Sequence, residues 1–174
     1  FGKSLLLSTL YELYTGHEAL FRDLWIHAHW DWQAAQRPVI WLRFSKMDYE
    51  GKGLEAALLQ EIRRIAKHLG LELPEDTLKS SFYELLKLAS EEYKAVLLID
   101  EYDKPIIDFL DDTPQAEANR DVLKNFYSVL KDADPYIEFL FLTGVSAFSK
   151  VSIFSDLNNL SNITLSPQGY TLLG

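Results

Sequence analysis

The sequence predicts an α/β fold in which a parallel sheet is flanked by helices. Two runs of apolar residues, Ala95 to Ile99 and Phe139 to Leu142, lack the alternation of a strand with one exposed face. Continuous runs of this kind are typical of strands buried on both faces of a parallel sheet. Segments with helical periodicity precede and separate the two runs, and this alternation of helix and strand indicates a layered α/β domain.

The first part of the chain is predicted to place one strand after a helix. Leu5 to Tyr14 carries apolar residues at helical spacing, and Gly16 can end that helix. The segment Glu18 to Trp32 is rich in aromatic residues and less periodic, which favours a helix that gives way to a loop. Pro38 to Phe44 is β-branched and aromatic and predicts a strand, whereas the polar segment Lys46 to Gly53 predicts a loop.

The second part of the chain alternates further helices with the two apolar strands. Asp76 is the predicted N-cap of one of these helices. A further strand is expected at Ile163 to Leu165. The predicted helices are Leu54 to Leu69, Thr77 to Tyr93, Lys104 to Leu110 and Gln115 to Leu130, and the later apolar strand extends over Tyr136 to Thr143.

Composition and charge exclude several classes of protein. The 174 residues suit one domain, and the net charge of −9 argues against binding duplex nucleic acid across a whole face, which requires basic surface. The chain has no cysteine, which excludes disulfides and thiolate metal sites and suits a reducing cytoplasm. The longest apolar runs are far shorter than the ~20 residues of a membrane-spanning helix. A cytoplasmic protein without a membrane partner is therefore expected.

The tripeptide Gly2-Lys3-Ser4 stands directly before a leucine-rich helical stripe. It matches the second half of the phosphate-binding pattern G-x-x-x-x-G-K-[ST]. In that pattern the amides at the helix N-terminus cradle phosphate, the lysine reaches the β and γ oxygens, and the hydroxyl binds Mg²⁺. Gly2, Lys3 and Ser4 are therefore candidate nucleotide-binding residues, and Ser4 is also a candidate metal ligand. The tripeptide alone fits equally well an ordinary helix start that is capped by Ser4.

Two acids, Asp100 and Glu101, follow the first apolar strand. A buried strand delivers such residues to its carboxyl edge, where ligands bind in open α/β sheets. Asp100 is a candidate Mg²⁺ ligand through the water shell of the ion, and Glu101 is a candidate catalytic base for the attacking water. The alternative is an acidic strand end that is simply solvated. The order of the tripeptide and this acidic pair, about a hundred residues apart, favours the functional interpretation.

Thr143 occupies the corresponding position after the second apolar strand. If this strand lies beside the strand that ends in Asp100, Thr143 faces the same phosphate site. It is then a candidate catalytic residue that senses the γ-phosphate or positions water. The alternative is a threonine that only satisfies the end of its strand.

Five segments carry a resemblance to a known family: FGKSLLLSTL, LLIDEYDKP, NFYSVLKDAD, FLTGVSAFSKVSIFSDLNNL and NITLSPQGYTLLG. Together they resemble the bacterial AAA-ATPase-like family, whose members often carry a C-terminal PD-(D/E)xK nuclease-like domain. The resemblance covers nearly the whole chain. It implies a P-loop NTPase fold that uses ATP and Mg²⁺, with Lys3 and Ser4 in Walker A. It also implies that Asp100 and Glu101 form Walker B and that Thr143 is the sensor.

The family pattern also contains parts that are absent from this sequence. A strand and an RPRR-like turn normally precede FGKS, and a helical lid and the nuclease-like domain normally follow TLLG. The resemblance therefore implies that residues 1–174 are a partial AAA-ATPase-like domain of a longer chain, without the first strand and the lid. This piece alone is expected to be inactive, and nucleic acid is expected to bind only through the nuclease-like domain.

Two functions of different classes fit these residues. The first is binding and hydrolysis of ATP by a core that powers or regulates the attached nuclease-like domain. A homo-oligomer fits this function, since many such ATPases complete their site with an arginine from a neighbouring copy. The second is a nucleotide-binding or regulatory interaction module that does not hydrolyse the nucleotide.

Overall fold

The structure of the protein is a computed structural model, and it describes residues 2–74, 77–145, 153–154 and 160–163. The α-helices of this part are α1 (Lys3–Tyr14), α2 (Tyr49–Lys52), α3 (Leu54–His68), α4 (Leu78–Ala89), α5 (Lys104–Ile107), α6 (Thr113–Tyr127) and α7 (Val129–Asp132). The 3₁₀ helices are Glu18–Phe21, Trp25–Ala28, Phe44–Lys46 and Asp134–Tyr136. The strands are β1 (Val39–Arg43), β2 (Ala95–Asp100) and β3 (Ile137–Leu142).

The three strands form one parallel sheet with β2 in the centre. Leu97 of β2 pairs with Ile40 of β1 on one side and with Leu140 of β3 on the other. All six residues of β2 are buried, as a continuous apolar run predicts for a central parallel strand. The parallel sheet between helices confirms the predicted α/β class.

Helices cover both faces of the sheet. On one face, Leu7 of α1 packs against Val96 and Leu98 of β2. On the other face, α3, α4 and α6 bury their apolar stripes against the alternate residues of the strands. Within this second layer, Phe126 of α6 is fully buried and stacks on Phe82 of α4, with ring centroids 4.2 Å apart. Among the described residues, α1 therefore packs on one face of the sheet and α3, α4 and α6 pack on the other.

Helix α4 differs at both ends from the sequence prediction. Its N-cap is Thr77, and the predicted cap Asp76 lies outside the described residues. The helix ends at Ala89 instead of Tyr93. The hydroxyl of Ser90 donates to a carbonyl of the last turn, which competes with continued helical bonding and ends the helix.

Two other segments differ in their helical content from the sequence prediction. The predicted loop Lys46 to Gly53 contains α2, because the Asp48 carboxylate caps it by accepting from Gly51 N–H at 3.3 Å. The aromatic segment Glu18 to Trp32 forms two short 3₁₀ helices instead of an α-helix. Its lack of a 3.6-residue period leaves it no continuous apolar stripe to bury.

Only part of the strand predicted at Ile163 to Leu165 lies within the described residues. Ile163 is described and is not in a strand, and the rest of the predicted strand up to Leu165 lies outside the described residues. In the part of the chain that the structure describes, no helix is long and apolar enough to cross a membrane.

Candidate functional site

Asp100 and Thr143 meet at the carboxyl edge of the sheet. Asp100 is the last residue of β2, and Thr143 directly follows β3. The hydroxyl of Thr143 donates to Asp100 Oδ1 at 2.5 Å, and both residues are buried. The structure thus joins two residues that the sequence predicts to lie at one site.

Glu101 follows Asp100 in a conformation that is unusual for glutamate. Its φ is +57°, and it is the one described residue other than glycine with positive φ. Such backbone costs about 1–3 kcal/mol and persists only where the surroundings enforce it. Glu101 N–H donates to Thr143 Oγ1 at 3.3 Å, and Glu101 Oε2 is buried with no hydrogen-bond partner among the described residues. Glu101 therefore combines a backbone contact to the Asp100–Thr143 pair with a buried, unpaired carboxylate oxygen.

Lys3 reaches the same edge from the N-terminus of α1. Helix α1 begins at Lys3 directly after Gly2, whose φ of +87° is one that glycine adopts readily. Lys3 Nζ donates to the carbonyl of Gly144 at 3.0 Å, which places the ammonium beside the turn that follows β3. Ser4 lies inside the first helical turn and is not the N-cap, so the alternative of a helix start capped by Ser4 is wrong.

The first turn of α1 has the character of an anion site. It contains no acidic side chain, and Gly2 has no side chain that could cap the amides. Free amides at a helix N-terminus and the positive end of the helix dipole favour a negatively charged ligand. Lys3 adds a full positive charge at this position.

Asp103 is a buried residue of this edge that the sequence analysis missed. Its side chain is fully buried, and both carboxylate oxygens accept from Val145 N–H, at 3.1 and 3.0 Å. This contact fixes the turn Thr143 to Val145, which also carries the carbonyl that binds Lys3. The available signal was a third acid within DEYD, three residues after Asp100 and directly before α5.

Gly144 is required by close packing in that turn. A Cβ at this position would lie 2.4 Å from Tyr102 Cε1 and 2.9 Å from Asp103 Oδ1. Real Cβ contacts are not this short, so any side chain would push the turn away from the strand end. The glycine therefore allows the turn to approach the DEYD segment.

We expect Gly144→Ala to lower the free energy of unfolding by about 1–3 kcal/mol, as overpacking of a tight interior does. Urea denaturation measures this change. In a double variant with Tyr102→Ala the larger clash is removed, so the combined loss should be smaller than the sum of the single losses. Strictly additive losses would show that the close approach is not the cause.

Tyr127 is a neutral neighbour of Asp103. Burial raises the pKa of the Tyr127 hydroxyl well above its usual range, and the nearby Tyr102 and Asp103 add to that shift. The ring of Tyr127 packs on Phe154 with centroids 4.8 Å apart. The hydroxyl therefore stays protonated and adds no charge to this region.

Arg43 is a second residue that the sequence analysis did not single out. It is the last residue of β1, and its Cα pairs with that of Asp100 in the sheet register. Its guanidinium lies over the Trp41 ring, 4.4 Å from the centroid, and its Nε is buried without a hydrogen-bond partner among the described residues. The available signal was one charged residue inside the apolar strand segment PVIWLRF.

The edge offers few ligands to a metal ion. Among the described residues, no group of three or more histidine, aspartate or glutamate side chains could hold a metal ion. Asp100 and Ser4 remain the candidates that the sequence names. A metal here would therefore depend on oxygen atoms from a bound ligand and from water.

Comparison with known proteins places these features in a family. A family model described as predicted AAA-ATPase, AAA-ATPase_like, matches residues 1–154. A curated protein of Azotobacter chroococcum mcd 1, described as an uncharacterized protein in the vnfD 5′ region, is 42% identical over 182 aligned residues. That alignment covers 100% of this chain and 34% of the relative, so the chain spans about a third of the relative's length. No solved structure matches the chain.

Proposed function

Because this chain belongs to the AAA-ATPase-like family of predicted AAA-ATPases, we propose that the carboxyl edge of its sheet binds ATP with Mg²⁺ and hydrolyses it. The proposal rests mainly on one observation: residues that are far apart in sequence contact each other at the turn that follows β3. Lys3 and Gly144 are 141 residues apart in sequence and share a hydrogen bond, while the adjacent Thr143 binds Asp100. A cation at a helix N-terminus beside a buried acid is the arrangement that a metal-bound phosphate needs.

Lys3 and the amides of α1 bind the phosphates in this proposal, with Gly2 leaving room for their approach. The Lys3 ammonium exchanges its bond to the Gly144 carbonyl for bonds to the β and γ oxygens. This places the phosphates of ATP against the first turn of α1, above the ends of β2 and β3. Gly2, Lys3 and Ser4 are then the Walker A residues of the site.

Asp100 and Ser4 are the proposed holders of Mg²⁺. The ion demands octahedral oxygen ligands and is usually bound through one or two carboxylates, water and substrate phosphates. One buried aspartate and one hydroxyl fit this requirement, which also agrees with the lack of a three-ligand cluster among the described residues. When bound, Mg²⁺ neutralises the charge of the phosphates and fixes their orientation.

Glu101 is the proposed general base. Its carboxylate takes a proton from the attacking water as the water oxygen bonds to the γ-phosphorus and the bond to the leaving ADP breaks. Its backbone has a positive φ, and its buried Oε2 has no hydrogen-bond partner among the described residues, so this oxygen is able to accept a proton from water. Thr143 is the proposed sensor, since its hydroxyl already bridges Asp100 and the amide of Glu101.

The setting of this core within a larger protein is also a proposal. The relative in Azotobacter is about three times as long as this chain, which fits a partial AAA-ATPase-like domain at residues 1–174. We propose that the core powers or regulates an attached nuclease-like domain, through which nucleic acid is contacted. A cytoplasmic homo-oligomer that completes its sites with a neighbour's arginine fits the same scheme.

One observation favours a module that binds nucleotide without hydrolysing it. Glu101 Oε2 is buried, so an attacking water must enter the edge before this oxygen can act on it. If water cannot reach this oxygen in the nucleotide complex, the site binds ATP without hydrolysing it. Calorimetric binding without release of phosphate would identify this function.

Lys3→Ala tests the phosphate site. We expect the variant to bind ATP about 10- to 100-fold more weakly, because a charge-assisted hydrogen bond contributes about 1.5–3 kcal/mol. Isothermal titration of the protein with MgATP measures this change. Lys87→Ala is the matched control, since Lys87 pairs with Glu84 on the outside of α4. Equal affinity in wild type and Lys3→Ala would remove Lys3 from the site.

A further inference from the structure

We infer that Arg43 binds the terminal phosphate of the bound nucleoside triphosphate, an inference that rests on the proposed function. The other residues of the proposed site come from α1 and from the ends of β2 and β3. Arg43 is the charged residue at the carboxyl end of that strand, next to the strand that carries Asp100. Four observations assign it this contact. They are its pairing with Asp100 in the sheet, the face of the sheet on which it lies, its lack of an anionic partner among the described residues, and the packing of its guanidinium on the Trp41 ring.

The register brings Arg43 to the site. Arg43 and Asp100 are Cα partners on neighbouring parallel strands, which lie about 4.8 Å apart in a sheet. Asp100 in turn binds Thr143 on its other side. Arg43 and Thr143 therefore flank Asp100 along the edge.

The side chain of Arg43 lies on the face that α1 covers. Residues two apart in a strand share a face, and Val39 of β1 and Val96 and Leu98 of β2 form one cluster with Leu7 of α1. By this alternation Arg43 and Asp100 belong to the same face. Because α1 begins over this edge at Lys3, the two cations approach one region from different elements.

Arg43 has no anionic partner among the described residues. The cations Lys52, Arg64, Lys87, Lys104 and Arg120 all form ion pairs with carboxylates. None of those pairs includes Arg43, and its Nε–H is buried without an acceptor. An unsatisfied buried donor at the edge of a sheet is costly, and a phosphate oxygen would satisfy it.

The Trp41 ring holds the guanidinium without using its donors. Stacking occupies one face of the planar group, 4.4 Å from the ring centroid, and leaves the N–H groups in the plane able to bind an anion. Trp41 is itself packed against Tyr11 of α1, with centroids 5.4 Å apart. The arginine is therefore held in place beside the edge and available to an incoming phosphate.

The position of Arg43 selects the terminal phosphate over the inner ones. In the proposed site the α1 amides and Lys3 hold the phosphate chain near β3, whereas Arg43 lies beyond Asp100 on β1. The terminal group is the one that meets the strand ends where Asp100 and Glu101 stand. An arginine at this point also offsets the negative charge that develops during transfer.

The test compares two nucleotides that differ in this phosphate. Wild type and Arg43→Gln are titrated calorimetrically, in the presence of Mg²⁺, with ADP and with the β,γ-imido analogue of ATP. We expect Arg43→Gln to weaken binding of the triphosphate analogue about 10- to 100-fold, as loss of a charge-assisted contact does, and to leave ADP affinity within about twofold. Arg43→Lys keeps the positive charge, so its affinity for the triphosphate analogue should fall less than that of Arg43→Gln.

Arg37→Gln is the matched control for this experiment. Arg37 precedes β1 at the opposite edge of the sheet and also lies over an aromatic ring, 5.3 Å from the centroid of Tyr93. Its substitution should leave both affinities unchanged.

Equal losses for ADP and the triphosphate analogue in Arg43→Gln, or no loss for either, would overturn the inference while wild-type binding still supports the proposed function. A loss of turnover with unchanged triphosphate preference would make Arg43 a partner of Glu101 and would also overturn it. If wild type binds neither nucleotide, the proposed function fails first and this contact fails with it.

Discussion

Glu101→Gln is expected to lower the rate of ATP hydrolysis by about 100- to 10,000-fold, the range that a positioned general base contributes. Glutamine has the same shape but cannot take the proton of the attacking water. Nucleotide affinity should change little, because Glu101 acts on water and not on the phosphates. The rate of phosphate release by the full-length protein at saturating MgATP measures the effect, and calorimetry measures the affinity.

Glu61→Gln is the matched control for this prediction. Glu61 forms an ion pair with Arg64 on α3, with 2.7 Å between Glu61 Oε1 and Arg64 Nη2, and lies outside the proposed site. The same change of charge at this position should leave turnover intact. Hydrolysis that is undiminished in Glu101→Gln would remove Glu101 from its assigned role, whichever residue then proves to be the base.

Phe126→Ala is expected to lower the free energy of unfolding by about 3–5 kcal/mol, the cost of deleting a buried aromatic ring. Phe126 is fully buried in the layer opposite α1 and contacts Phe82 and Tyr127, with centroids 4.2 and 5.1 Å apart. Its loss leaves a cavity between α4 and α6, in the helical layer that packs on this face of the sheet. Chemical denaturation followed by circular dichroism measures the change.

Phe126→Leu separates the cavity from the loss of stacking. Leucine refills most of the volume, so we expect this variant to lose about 1–2 kcal/mol. If the alanine variant were no less stable than the leucine variant, the α4–α6 layer would not be the close-packed support that the structure shows. Neither substitution changes a residue of the proposed nucleotide site.

The sheet and its acidic edge were predictable from local sequence. The run Ala95 to Ile99 is apolar at every position, a pattern that burial on both faces demands, and the acids after it can lie only at the strand end. The start of α1 was predictable for the same reason, because the apolar stripe of this helix begins directly after Gly2-Lys3-Ser4. Sequence predicted these parts because neighbours along the chain decide them.

The roles of Arg43 and Asp103 could not be predicted in the same way. Arg43 matters because the parallel register sets it beside Asp100, more than fifty residues later in the chain. Asp103 matters because it accepts from the amide of Val145, and such backbone contacts leave no mark in composition or period. The strain at Glu101 is also invisible locally, since nothing in its residue type favours a positive φ.

The ends of the helices show the limits of periodicity. The apolar stripe of α4 could continue toward Tyr93, yet the helix ends at Ala89. A single side-chain hydrogen bond from Ser90 and the need to enter β2 decide the boundary. Local competition of this kind shifts element ends without changing the fold.

Release of inorganic phosphate from MgATP by the full-length protein that contains residues 1–174 tests the central claim most directly. We expect turnover that requires Mg²⁺, falls in Lys3→Ala through weaker binding and nearly vanishes in Glu101→Gln with binding retained. ATP binding without phosphate release by the wild-type protein would contradict hydrolysis at this edge and would identify the chain as a nucleotide-binding module.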